Sequence, residues 1–146
     1  MQSATIRDFG DQWKIHGNLR EDYWTSDAML RDYFAGIFEH NLLKDKVLMV
    51  VGSGSGRILR MLRRFSPNEL LGVAPSKGIS RIIQNTSDLK NLKLLNVTGA
   101  QFKVTDVDII LSLGVIHHIK KPNETLVNNY DSLRANSGPG VAMTVG

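Results

Sequence analysis

The sequence lacks several features that would assign it to a specialised class of protein. It has no cysteine among 146 residues, which excludes disulfide and thiolate chemistry. It has no apolar run long enough to span a bilayer, and its first residues lack the apolar core of a secretory signal. Its four histidines show no metal-ligand spacing. We therefore expect a cytoplasmic protein with neither a membrane nor a metal partner.

Charge and hydropathy are ordinary for a globular protein. Hydrophobic residues make up 42% and charged residues 22% of the chain, and the net charge is +4. Four arginines crowd one side of a predicted helix, at Arg57, Arg60, Arg63 and Arg64. No aromatic residue interleaves with them, so a solvated helix face is favoured over a nucleic-acid patch. The length predicts one domain, which we divide into an arm of residues 1–25 and a body of residues 26–146.

The most informative stretch is residues 47–59, with the sequence VLMVVGSGSGRIL. Its five apolar residues predict a strand buried on both faces, as in a parallel sheet. Gly52, Gly54 and Gly56 then precede an amphipathic run that predicts a helix. Glycines at such a junction permit a tight turn and let a ligand approach the backbone. We interpret the stretch as a nucleotide-type binding unit; a glycine-rich turn without a ligand is the alternative.

The rest of the chain alternates between helical and strand patterns. Ser26 begins a predicted helix to about His40, and further helices are predicted at 75–84 and 122–136. Strands are predicted at 69–74, 91–96, 108–113 and 141–145. On the last helix, four residues at helical spacing are expected to face the sheet: Leu126, Val127, Tyr130 and Leu133. The alternation predicts an α/β fold, with a doubly wound, mainly parallel sheet of about five strands.

Four segments together resemble the class I S-adenosylmethionine-dependent methyltransferases. Residues 51–57 (VGSGSGR) look like the family's first motif, and residues 71–76 (LGVAPS) look like the end of its second strand. Residues 108–119 (DIILSLGVIHHI) are similar to its fourth-strand motif, and residues 138–140 (GPG) to the turn before strand five. A nicotinamide-binding fingerprint fits less well, because its third glycine would fall at Arg57.

The resemblance implies a Rossmann-like methyltransferase fold, S-adenosylmethionine as cofactor and a small-molecule methyl acceptor that the sequence does not name. The cofactor would contact Gly52, Ser53, Gly54, Ser55, Gly56, Ala74, Gly99 and Ser112. His118, and after it His117, would line the substrate pocket or take a proton; structural histidines are the alternative. The aromatic residues of the arm would form a lid or pack on the sheet edge: Trp13, Tyr23 and Trp24.

Three positions that carry an acid in the resembled family are neutral here: Val50, Ala74 and Gly99. A carboxylate that grips ribose makes hydrogen bonds worth about 1.5–3 kcal/mol each, so we expect weak cofactor binding. The family's hairpin beside strand five is also missing from the sequence, which leaves Val141–Val145 as an apolar edge suited to self-association. Two interpretations stay open: a methyltransferase of weak or lost activity, and a non-enzymatic interaction module that dimerises through this strand.

Overall fold

The computed structural model describes residues 27–34, 40–75, 78–133 and 141–145. Its helices are α1 (Asp27–Phe34), α2 (His40–Leu43), α3 (Arg57–Leu62), α4 (Ile79–Asn85) and α5 (Pro122–Ser132). Its strands are β1 (Val47–Val51), β2 (Glu69–Val73), β3 (Leu92–Leu95), β4 (Ile109–Leu113) and β5 (Val141–Val145). Short 3₁₀ turns follow α3 at Arg63–Phe65 and β4 at Ile116–His118. The predicted arm and the turn at 138–140 lie outside the described residues.

The strands form one parallel sheet in the spatial order β3-β2-β1-β4-β5. This confirms the doubly wound, parallel fold that the alternation of patterns predicts. β1 lies at the centre, with β2 on one side and β4 on the other. The chain therefore leaves β1 in one direction and later returns to its other side. Ligands of such sheets bind where this reversal occurs, at the carboxyl ends of the strands.

One face of the sheet is covered by α1, α2, α3 and α4, and we call it the four-helix face. Fifteen buried residues form a single apolar cluster there among the described residues. Leu48 and Val50 supply part of it from β1, and Leu59 and Leu62 supply part of it from α3. Met29 and Phe34 of α1 are buried in the same cluster.

The opposite face is covered by residues 96–107 and α5, and we call it the loop face. Residues 96–107 join β3 to β4 without forming a helix. They contribute Phe102 and Val107 to a cluster of seven buried residues among those described, and Leu133 packs against it. Asn128 of α5 donates from Nδ2 to the Gly99 carbonyl at 3.1 Å. This bond ties α5 to the segment that precedes β4.

The apolar side of α5 does not face the sheet, and the prediction from helical spacing was wrong here. The exposed fractions are 44% for Leu126, 57% for Val127 and 77% for Tyr130. Leu133 alone among the four packs on the core. The residues that α5 buries are polar: Thr125, Asn129 and Ser132.

Close packing against residues 96–107 explains this orientation of α5. A Cβ placed on Gly99 would lie 2.7 Å from Thr125 Cγ2. The backbone of α5 thus lies so close to the backbone of residue 99 that only the side chain of Thr125 fits between them. A leucine or tyrosine at that point would push the helix away from the segment. The small polar residues therefore occupy the contact, and the large apolar residues are turned out of it.

None of the helices in the described ranges has the length and apolar character that crossing a bilayer requires. In the same ranges, no group of three or more histidine, aspartate or glutamate side chains is placed to hold a metal ion.

Candidate functional site

A cavity of about 690 Å³ opens at the carboxyl ends of the central strands. Its walls come from the glycine loop after β1, from Ala74 and Pro75 after β2, and from residues 97–101 after β3. Residues 113–115 close it from the end of β4. The cavity lies beside the reversal of strand order, and its volume falls within the range of about 300–1,000 Å³ of small-molecule pockets.

The glycine loop after β1 takes a conformation that favours glycine. Gly52, Gly54 and Gly56 have φ angles of +75°, +56° and +85°. A Cβ on Gly52 would lie 2.4 Å from Val115 Cγ2, so close packing also demands glycine there. Gly52 and Gly54 line the cavity, whereas Gly56 caps the start of α3 outside its wall. The loop thus presents bare backbone to whatever the cavity holds.

Hydrogen bonds fix the shape of this loop from behind. The backbone N–H groups of Gly52 and Ser53 both donate to the Val73 carbonyl, at 2.8 and 3.0 Å. Ser53 Oγ donates to the Val50 carbonyl at 2.9 Å, and Asn85 Nδ2 donates to the Ser55 carbonyl at 2.8 Å. Both serines are buried and line the cavity. The loop is therefore organised before a ligand arrives, which lowers the entropic cost of binding.

The ends of β2 and β3 offer no carboxylate to the cavity. Ala74 is buried in the wall and contributes its methyl group to the four-helix face. Gly99 also lines the cavity, but a side chain there would meet Thr125 on α5. A side chain at residue 99 would thus force Thr125 or α5 to shift, which disfavours an acid there for a reason that the sequence did not show. Beside it, Gln101 Oε1 accepts a hydrogen bond from Thr98 Oγ1 at 2.9 Å, so an amide lies in this wall.

The start of α5 supplies charged groups that the sequence analysis missed. Lys121 Nζ donates to Glu124 Oε1 at 2.8 Å, and both residues line the cavity. This hydrogen bond raises the pKa of Lys121 above its ordinary value. Among the described lining residues, Glu124 carries the one carboxylate. The available signal was Pro122, which predicts a helix start just after the fourth-strand motif and so near the cavity.

The structure brings one of the two predicted histidines to the cavity. His118 lines the wall from the 3₁₀ turn after β4, and its backbone N–H donates to the Val115 carbonyl at 2.9 Å. Both histidines are exposed, and His117 is not among the lining residues, although its ring centroid lies 3.8 Å from that of His118. Ser112 is fully buried in β4 outside the wall. The proposed lid residues, Trp13, Tyr23 and Trp24, lie outside the described residues.

A family model described as a methyltransferase domain matches residues 49–138. No curated protein sequence matches the chain. The matched range contains the glycine loop, Ala74, Gly99 and both histidines, so it takes in most of the cavity wall.

Several solved structures share the fold at low sequence identity. The N-methyltransferase NodS from Bradyrhizobium japonicum, in complex with S-adenosylhomocysteine, has a TM-score of 0.71 at 14% identity over 96% of this chain and 71% of that chain. Phosphoethanolamine N-methyltransferase 1 from Haemonchus contortus has a TM-score of 0.69 at 16% identity over 92% of this chain and 30% of that chain. The [4+2]-cyclase SpnF has a TM-score of 0.65 at 15% identity over 80% of this chain and 43% of that chain. The chain thus spans only part of the proteins that it matches.

Proposed function

The chain belongs to the methyltransferase-domain family, and on that premise we propose that it binds S-adenosylmethionine and transfers the methyl group to a small-molecule acceptor. The observation that carries the proposal is the cavity at the carboxyl ends of the central strands, with the glycine loop in its wall. Fold alone does not assign an activity, since one fold hosts many chemistries. The site within the fold has to support it.

The residues present fit this cofactor in shape and less well in charge. Gly52 and Gly54 leave the space that a Cβ would otherwise take, so the backbone can contact a ligand closely. Ala74 lines the cavity at the position where the resembled family grips the ribose, and it carries no carboxylate. We therefore propose weak binding, with Glu124 as the one carboxylate among the described lining residues that could make a charge-assisted hydrogen bond to a ligand hydroxyl.

S-adenosylmethionine, when bound, supplies an electrophilic methyl group on a sulfonium. The chain's own task is then to align the acceptor and exclude water, which together can supply most of the rate effect. Val51, Ile58 and Leu113 give the cavity apolar walls that serve this purpose. His118 is the residue proposed to accept a proton from the acceptor, because it carries the one imidazole among the described lining residues.

The second candidate is a non-enzymatic binding module, which the neutral residues Ala74 and Gly99 favour. Under either function we propose self-association through Val141–Val145, the strand at the end of the described sheet, and a cytoplasmic location. Nucleic acid is not a proposed partner, because Arg60 and Arg63 are engaged with Asp88. Release of S-adenosylhomocysteine from S-adenosylmethionine over a panel of small-molecule acceptors would favour the enzyme. Binding without release would favour the module.

Calorimetric titration with S-adenosylhomocysteine tests the site. The wild-type protein should bind weakly, and Ala74→Asp should tighten binding by about tenfold by restoring one charge-assisted bond. Ala74→Asn is the matched control, because it has nearly the same shape without the charge and should gain much less. Circular dichroism confirms that each variant is folded. Absence of binding in all three folded proteins would refute the proposal, and equal gains in both variants would refute the role of charge.

A further inference from the structure

Val115 lies over the glycine loop, in the space that a side chain on Gly52 would need. A Cβ on Gly52 would come within 3.0 Å of three carbon atoms of Val115, which are Cβ, Cγ1 and Cγ2. These are all the carbon atoms of the valine side chain, so the whole isopropyl group faces the backbone of residue 52. Both residues also line the cavity. The end of β1 and the end of β4 thus meet at this contact in the cavity wall.

The backbone of Val115 belongs to the turn that carries His118, which we call the His118 turn and define as residues 115–119. The Val115 carbonyl accepts a hydrogen bond from the His118 backbone N–H at 2.9 Å. The Ile116 carbonyl accepts one from the Ile119 backbone N–H at 3.1 Å, and the two bonds close the turn. Val115 therefore contacts the glycine loop through its side chain and joins the turn through its backbone.

Gly114 directs the chain back onto the loop. It follows β4 directly, and its φ of +66° lies in the left-handed region that favours glycine. A Cβ on Gly114 would meet nothing within 4 Å, so packing does not require glycine here. The backbone conformation is the reason for this glycine. An extended residue in its place would continue the direction of β4 and carry Val115 away from Gly52.

The two segments differ in how firmly the rest of the protein holds them. The glycine loop is anchored by the bonds from Gly52 and Ser53 to the Val73 carbonyl, and its two serines are buried. In contrast, none of the five residues of the His118 turn is buried. A turn with exposed hydrogen bonds and little buried surface opens more readily than a buried segment. The position of the turn therefore depends on its contact with the loop.

We propose that Val115 is a positioning residue, which couples ligand binding on the glycine loop to the placement of His118. The inference rests on the proposed function, because it concerns the histidine proposed there as proton acceptor. A ligand over the loop confines Val115 between itself and Gly52, since both residues line the cavity. The turn then opens less often, and His118 is held in the wall when the cofactor site is filled.

The branched shape of valine suits this role. Branching at Cβ restricts rotation about χ1, so the isopropyl group does not swing aside without its backbone. Movement of the side chain is thus passed to the carbonyl that accepts the bond from His118. Alanine at residue 115 would lack both γ carbons, whereas threonine would keep two branches in nearly the same shape. The two substitutions therefore separate the contact from the rest of the turn.

Hydrogen exchange at the His118 backbone N–H tests the coupling, because this group is bonded to Val115. Saturation with S-adenosylhomocysteine should slow its exchange in the wild-type protein by about fivefold or more. Val115→Ala should bind the ligand and lose this slowing, and Val115→Thr should retain it. Val127→Ala is the matched control, because it makes the same truncation on the exposed side of α5, and it should also retain the slowing.

The ratio of the exchange rates without and with ligand distinguishes coupling from a merely structural role. Loss of a structural contact in Val115→Ala would speed exchange at His118 equally in both states, and the ratio would stay at its wild-type value. That result would overturn the inference, because the ligand would then protect the turn by direct contact. Unchanged exchange at the amides of β1 shows that the variant is folded. Failure of folded Val115→Ala to bind the ligand would also overturn the inference, since Val115 would then be a binding residue.

Calorimetric titration of the wild-type protein with S-adenosylhomocysteine separates this inference from the proposed function. A wild type that binds the ligand without slower exchange at His118 overturns the coupling and leaves the proposed function standing. A wild type that binds no ligand overturns both.

Discussion

The two faces of the sheet are covered by different kinds of structure: helices on the four-helix face, and a loop and α5 on the loop face. Among the residues that the structure describes, the four-helix face has fifteen buried apolar residues in one cluster, and the loop face has seven. Polar bonds join helices on the first: Arg60 donates to the Asn85 carbonyl and to Asp88 Oδ1, both at 2.7 Å. On the second, α5 brings buried polar atoms that have no hydrogen-bond partner among the described residues, on Thr125 and Asn129. Ser112 of β4 adds a third unpaired group.

This difference separates stability from binding. The four-helix face is a filled apolar core, which is the main source of folding free energy. On the loop face, a buried polar group that lacks a partner among the described residues would cost about 1–3 kcal/mol if nothing else binds it. Residues 97–101 cross the sheet as a loop and form part of the cavity wall. A helix in their place would direct these residues away from the cavity. The four-helix face supplies most of the apolar core, and the loop face supplies much of the cavity wall.

The largest expected effect comes from truncating neighbouring residues of β4 that point to opposite faces. Leu111 belongs to the four-helix cluster and Ile110 to the loop-face cluster, and both are buried. Each change to alanine should cost about 2–5 kcal/mol in the free energy of unfolding, with Leu111→Ala at the upper end. The loop face can collapse around a cavity more easily, because a segment without a helix covers it. Urea denaturation measures the free energy of unfolding of both variants. A larger loss for Ile110→Ala than for Leu111→Ala would contradict the proposed difference between the two faces.

A smaller loss is expected where α5 meets the segment after β3. Gly99→Ala places a Cβ at 2.7 Å from Thr125 Cγ2 and should cost about 1–3 kcal/mol in the free energy of unfolding. Adding Thr125→Ala removes the clashing atoms and should recover most of that loss. Thermal or urea unfolding of the two single variants and the double variant forms a double-mutant cycle. Additive effects would show that the two residues are not in contact.

Replacing an unpaired amide on the loop face should stabilise the protein. Asn129→Leu keeps a similar side-chain shape and removes two buried polar atoms without partners, so a gain of about 1 kcal/mol in the free energy of unfolding is expected. Asn128→Leu is the matched control, because it breaks the bond to the Gly99 carbonyl and should destabilise. A loss of stability in Asn129→Leu would show that the amide is satisfied in solution.

The smallest effect concerns the exposed ion pairs of the four-helix face. The hydrogen bond from Arg60 holds the pKa of Asp88 below its ordinary value, and Arg63 adds to this. A lowered folded-state pKa gives stability above the unfolded pKa that is lost as pH falls through the folded pKa. Asp88→Asn should therefore be slightly less stable than wild type at pH 7, and the difference should vanish in acid. Asp131→Asn on α5 is the control and should show no such dependence on pH. Unfolding curves of the wild type and both variants at pH 7 and at acid pH give the comparison.

Much of the fold could be predicted from the sequence because its signals are local. The predicted bounds of β1 and β5 agree with the structure residue for residue, since each is a short apolar run between turn residues. The glycine loop was found in the same way. These signals need no knowledge of what packs against the segment.

The errors arise where a distant segment decides the outcome. Helical spacing shows that α5 has an apolar side, but it does not show which element that side contacts, and the approach of Gly99 turned it outward. The same close approach explains why residue 99 is a glycine. Comparison with the resembled family showed only that the acid usual at this position is absent. Lys121 and Glu124 were missed because they enter the cavity wall through the position of α5 relative to β4.

The central position of β1 also has a consequence for the order of folding. Its partner β2 follows after one short helix, whereas β4 joins from much later in the chain, as shown by the bond from the Val47 backbone N–H to Asp108 Oδ2 across 61 residues. Contacts between nearby segments form before those that close long loops. We expect β1, β2 and β3 to assemble first with α3 and α4 during synthesis, while the other edge of β1 stays open. A chain delayed at that stage would offer this edge to a strand of a neighbouring chain, so the interval before β4 arrives is the time of greatest risk of aggregation.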